Sequence, residues 1–232
     1  MPLEEFNAKY RGGATSWKFN REKGRIEPEN AFSIELPPYS QDLSDFGKGP
    51  SADFSFTNSF CTERYVGGIE RGRPPFEAGC SAKDTDYLHV INWKKAAELV
   101  AAGKAKKING FNVLMMDVLA AEGVVFLIPE PKSPHGVDVT PDGRFITVSG
   151  KLDTHTWVYS FEKIQKAIAA KKFVEKDPYG LPVIALEDAL QTQVALGLGP
   201  LHTQYDSKPG IAYTSLYVDS MVAKWDYING KL

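Results

Sequence analysis

Two histidine-bearing stretches 67 residues apart carry the same punctuation: Ser133-Pro134-His135-Gly136-Val137-Asp138 and Gly199-Pro200-Leu201-His202-Thr203-Gln204. Counted from each histidine, a Gly falls eight positions on (Gly143 and Gly210), a Thr twelve on (Thr147 and Thr214) and an Asp seventeen or eighteen on (Asp219 and Asp153). A repeat of this kind restricts a chain to architectures that copy and stack one supersecondary unit. Here the unit is strand–turn–strand. Thr140-Pro141-Asp142-Gly143 is its tight turn, in which Pro presets φ and Gly accepts a positive φ. The period is about one propeller blade plus an insertion. The innermost strand of a blade faces a central channel, so histidines at equivalent blade positions converge on one axial point.

Convergent imidazoles suit a metal site, because imidazole is the commonest nitrogen donor to transition metals. The residues also admit a plainer reading, since Pro-His-Gly and Leu-His-Thr are ordinary turn-flanking tripeptides that a hydrogen-bonded structural histidine would satisfy. Two histidines do not complete a site, and zinc would want at least three protein ligands. The other candidates sit badly. His89 lies inside the alternating run Tyr87-Leu88-His89-Val90-Ile91 and reads as a strand residue on a partly buried face, while His155 follows Asp153-Thr154 beyond the second strand, at the rim.

The remaining signals fit a blade-like chain. Ala52–Ser59 alternates small or polar with aromatic residues, and Tyr87–Ile91, Val124–Ile128, Gly136–Ser149, Trp157–Tyr159, Ala212–Tyr217 and Met221–Tyr227 read as strands or hairpins. Two amphipathic helices, Trp93–Ala102 ending at Gly103 and Phe161–Lys171, each follow a strand and read as insertions packed outside the sheets. Residues 1–50, rich in Gly, Pro and charge, read as a long ordered loop or excursion with short extended pieces such as Phe32–Leu36 before Pro37-Pro38, and the Gly- and Pro-punctuated stretch 66–79 reads as loop. The expected fold is all-β, a partial β-propeller of about three to four blades with short helical insertions, whereas closed rings have about four to eight. The expectation is therefore a piece of a longer protein.

Bulk properties exclude some partners. A formal net charge of -2 gives no reason to expect nucleic acid or an anionic membrane, and no apolar run approaches a membrane span. The first twenty residues are polar and hold no signal-peptide core. Cys61 and Cys80 admit a disulfide in an exported protein or two thiols in a cytosolic one, and their spacing is not that of a thiolate zinc site.

Several segments together resemble the propeller domain of nitrous oxide reductase, in the variant exported by the general secretory route. They are Asn58–Glu63, Asp84–Tyr87, Pro129–Gly143, Ser149-Gly150-Lys151-Leu152, Leu198–Thr203 and Asp219-Ser220. The resemblance implies that residues 1–232 are the central part of a seven-bladed propeller domain, without the C-terminal cupredoxin domain and its dinuclear copper centre. It implies reduction of nitrous oxide to dinitrogen and water at a four-copper sulfide cluster held by seven histidines, in denitrification. His135 and His202 match two of those ligands, so this chain by itself is expected to be inactive. A calcium ion near the cluster is implied at Glu63 and Asp86, with Phe60, Cys80 and Ser133 as oxygen donors. The resemblance further implies a periplasmic protein, a head-to-tail homodimer, and an electron donor such as a c-type cytochrome or a cupredoxin. Two other readings compete with it: a propeller-type binding or scaffold module, and a mononuclear-metal propeller hydrolase using the same histidines.

Overall fold

Leu88 and Val90 point to one side of their strand while Tyr87, His89 and Ile91 point to the other, and all five are buried. A strand covered on both faces belongs between two layers, and that is how the chain is built. The computed structural model describes residues 5, 9–60 and 86–232. Cys61, Glu63 and Cys80 lie outside the described residues, and so does the expected loop 66–79.

The strands form four sheets. The first contains β1 (Gly12–Asn20), β2 (Arg25–Leu36), β6 (Lys106–Ile108) and β7 (Phe111–Leu114), in the order β1-β2-β7-β6. The second has six strands: β3 (Ser40–Phe46), β4 (Phe54–Phe60), β5 (Asp86–Asn92), β8 (Val125–Glu130), β13 (Pro182–Val183) and β12 (Glu175–Lys176), neighbours in that order. The third runs from β9 (Pro134–Val139) through β10 (Phe145–Gly150) and β11 (His155–Ser160) to β14 (Leu190–Ala195), and the fourth is β15 (Pro200–Tyr205), β16 (Ile211–Leu216) and β17 (Met221–Asp226). Among the described residues, three helices lie between strands: α1 (Trp93–Ala101), α2 (Met116–Glu122) and α3 (Phe161–Ala169).

Three apolar layers hold the four sheets in series. Phe32, Ile34, Leu36 and Leu114 of the first sheet meet Tyr87, Ile91, Val125 and Leu127 of the second, with Leu99 of α1 and Leu119 of α2 closing the layer. The opposite face of the second sheet supplies Phe56, Leu88, Val90, Phe126 and Ile128 to the third sheet's Val137, Ile146, Val148 and Tyr159, sealed by Phe161 and Ile164 of α3. Val158, Val194 and Leu196 then receive Ala212, Leu216 and Trp225 of the fourth sheet. This is a propeller-like arc, as the repeat predicts. Both helices expected from the sequence form, capped by the Asn92 and Ser160 side chains, and Gly103 ends α1 at φ 74.

Apart from the extended piece Phe32–Leu36, which is the end of β2, the reading of residues 1–50 as loop is corrected. β1 and β2 form a long antiparallel hairpin, and β3 is an edge strand of the second sheet. β1 has one face toward solvent and a register shift between Ser16 and Lys18, so apolar alternation is weak there although the backbone pairs with β2 along one edge. α2, β6, β7 and β14 were likewise not expected from the sequence.

Candidate metal centre between the inner strands

β3, β9 and β15 are each the edge strand of their sheet, and they pack side by side. Edge strands from different sheets cannot share a regular ladder, so their backbone groups need other partners. Aspartates supply them. Asp45 of β3 accepts the Val139 N–H through Oδ2 at 2.8 Å, while Lys48 Nζ donates to the Val139 carbonyl at 2.9 Å. Asp138 of β9 repeats the link one sheet further on: its Oδ2 accepts the Thr203 N–H at 2.7 Å, and Tyr205 Oη donates to the Asp138 carbonyl at 2.7 Å.

The same strands bring His135 and His202 together, with ring centroids 5.4 Å apart and planes at 72°. Gly136 permits the approach. Its φ is 101, and a Cβ there would overlap the Leu201 carbonyl oxygen and lie 2.8 Å from the Leu201 carbonyl carbon and 3.2 Å from the His202 nitrogen. Each ring is held at Nδ1 by a carboxylate from the preceding inner strand: His135 by Asp42 Oδ2 at 2.7 Å, His202 by Asp138 Oδ1 at 3.3 Å. An Nδ1–H given to a carboxylate leaves the Nε2 lone pair free and enriches it in electron density, which is how ligating histidines are usually held. The two side chains keep 28% and 48% of their exposure, so the free edges are reachable. Burial pushes the Asp138 carboxyl up, against the pull of the Thr203 amide and the His202 ring.

His89 and His155 stay apart from this pair. His89 is wholly buried, more so than the partly buried face expected for it, and its Nδ1 lies between the Thr57 and Tyr87 carbonyls. His155 opens β11, with Nδ1 3.0 Å from Asp153 Oδ1.

A second polar cluster lies one layer out. Asp86 begins β5 and Glu130 ends β8, and the two are direct partners across the antiparallel ladder. Both are 2% exposed. Asp86 Oδ2 accepts the N–H of Ser133, a fully buried residue at φ 47, and Glu130 Oε1 accepts the Ser59 N–H at 2.9 Å. Glu130 Oε2 has no hydrogen-bond partner. Burial pushes the Glu130 carboxyl well up, and the neighbouring Asp86 charge adds to the effect. Of the residues expected around a calcium ion, the structure joins Asp86 to Ser133; Phe60 closes β4, whose previous residue Ser59 is bonded to Glu130, and Glu63 and Cys80 lie outside the described residues.

The chain is 30% identical over 152 residues to nitrous-oxide reductase of Pseudomonas fluorescens, an alignment covering 64% of this chain and 22% of that protein. Against the nitrous-oxide reductase of Stutzerimonas stutzeri it is 36% identical over 152 residues, covering 64% and 22%. This chain is similar in sequence to nitrous-oxide reductase. It spans about a fifth of the length of these relatives. No family model matches. Among solved structures, hydrazine synthase of Kuenenia stuttgartiensis superposes with a TM-score of 0.53 at 12% identity, over 92% of this chain and 55% of that one, which supports the propeller-like fold and nothing finer. Sequence reasoning found the histidines by their repeat, but missed Asp42, Asp45, Asp138 and Glu130; one carboxylate per inner strand was the available signal.

Proposed function

We propose that the chain is the central part of the propeller domain of a nitrous-oxide reductase, and that His135 and His202 are two ligands of its copper–sulfide cluster. The observation that carries this reading is the pair of rings 5.4 Å apart, each tied at Nδ1 to a carboxylate and open at Nε2. The donor set fits copper, since several neutral imidazoles with a soft sulfide favour its reduced form. When bound, the cluster supplies the electrons that nitrous oxide needs to lose its oxygen.

The protein's own part is positional. Asp42 and Asp138 fix the orientation of the two rings, and Gly136 sets the distance between them. Asp45, Lys48 and Tyr205 stop the inner strands from sliding past one another. On this reading the whole protein is periplasmic, works as a head-to-tail homodimer and takes electrons from a c-type cytochrome or a cupredoxin. A calcium ion beside the cluster would use the Asp86 carboxylate, with Ser133 and Phe60 as neighbouring oxygen donors. The fully buried and unpartnered Glu130 oxygen next to Asp86 suits a hard cation there.

The test is His135→Ala and His202→Ala in the full-length protein, followed by copper analysis and nitrous oxide reduction with a chemical electron donor. Each variant should fold, bind less copper and turn over at background. Full copper content and full turnover in either variant would remove that histidine from the ligand set and favour a scaffold role for this propeller.

A further inference from the structure

Glu130 is a buried carboxylate with one oxygen that has no hydrogen-bond partner. Its carboxylate stands directly across the β5–β8 ladder from Asp86, where facing side chains have Cβ atoms about 4.5–5.5 Å apart and like charges destabilise the pair. Both residues project on the same side as Leu88 and Ile128, into the layer between the second and third sheets. Among the described residues no Lys, Arg or His forms an ion pair with Glu130. One of its oxygens holds the Ser59 amide and the other holds nothing. A buried carboxylate left in that state is costly, and beside a second carboxylate more so.

We propose that Glu130 is itself a cation ligand, sharing with Asp86 one divalent ion of calcium type buried between the two sheets. The inference rests on the calcium reading above and adds a carboxylate to it. Hard oxygen donors on a strand end and a loop are what calcium takes. The placement also has a structural consequence. Glu130 precedes His135 by five residues, and Ser133, in the turn between them, is held by Asp86. An ion bound to both acids would therefore pin both ends of the turn that delivers His135 to the inner strands.

The experiment is calcium titration of the chelator-stripped full-length protein, by calorimetry and by thermal unfolding, for the native sequence, Glu130→Gln and Asp86→Asn. The native protein should take up the ion and unfold at a higher temperature with it. Glu130→Gln should bind calcium at least about tenfold more weakly, as loss of a charged ligand implies, yet unfold no earlier than the native protein when both are ion-free, because a buried charge is gone. Glu130→Leu provides a second variant if the amide itself disturbs folding. If Asp86→Asn loses calcium while both Glu130 variants bind it as the native protein does, Glu130 is not a ligand and the calcium reading survives. If the native protein takes up no calcium, that reading fails and this proposal with it.

Discussion

His89 and the His135–His202 pair are all gripped at Nδ1, and they differ in what does the gripping. His89 lies in the core with Nδ1 3.2 Å from the Thr57 carbonyl and 3.1 Å from the Tyr87 carbonyl, beside the Tyr39 ring. Burial pushes its pKa down to about 4, in spite of those two hydrogen bonds. The axial pair is held by carboxylates and stays open to solvent. Neutral carbonyls in a sealed layer keep an imidazole uncharged and inaccessible; a carboxylate at an open edge makes it a better donor and leaves it reachable. On the proposed reading, the type of partner and the access together separate the two ligands from a structural histidine.

The largest effect that would break this contrast is Gly136→Ala. A methyl group at φ 101 would run into the Leu201 carbonyl, combining a disfavoured backbone region with overlap. Together these cost about 4 kcal/mol. The expected result in chemical unfolding is a loss of that order, with less copper bound in the full-length protein; native stability and copper content would show that the inner strands can part without cost.

The His89 side of the contrast is tested by pH. Its folded pKa of about 4 lies below the ordinary value of 6.5, so the folded state binds fewer protons between those limits. Stability should therefore be level above pH 6.5 and fall as the pH drops toward 4, by up to about 3 kcal/mol from this group. Urea midpoints across that range should be steeper in pH for the native protein than for His89→Leu. Equal slopes would mean that His89 titrates as an exposed histidine does.

Much of this architecture was legible because its middle sheets are buried on both faces. Tyr87–Ile91 and Val124–Ile128 are apolar enough to declare strands, and Thr147 and Thr214, fully buried at the same offset from their histidines, mark the repeat. The first sheet was legible only at Phe32–Leu36, since β1 and the far part of β2 are paired by backbone and face solvent with Lys, Arg and Glu. The same misreading hid Asp42 and Asp45, which sit on β3 within the stretch taken for loop. Asp138 was visible only as the last residue of the first histidine-bearing stretch. Its role depends on Thr203 and His202, 65 and 64 positions away, and no local pattern encodes that.

A smaller effect sharpens the axial side. Asp42→Asn keeps the shape of the side chain but removes the charge at His135 Nδ1. Loss of such a partner weakens metal affinity about 10- to 100-fold. Competition with a chromogenic copper chelator should show it, with little change in unfolding. Asp138→Asn should show the same loss plus some destabilisation, because Asp138 also holds the Thr203 amide. Unaltered copper affinity in both variants would mean that the carboxylates serve only to tie the strands.

The smallest effect belongs to His155, and it is the control for the whole contrast. His155 also has a carboxylate at Nδ1, Asp153 at 3.0 Å, with Thr154 Oγ1 at 3.1 Å, and it is 39% exposed. If a carboxylate-held imidazole at an open edge were enough, His155 would bind metal as well. It lacks what the inner strands provide, a second imidazole brought to 5.4 Å by a glycine crossing. His155→Ala should therefore leave copper content unchanged and shift stability by no more than about 0.5 kcal/mol, the usual range for an exposed position. A drop in copper would show that convergence of two rings is not the deciding feature.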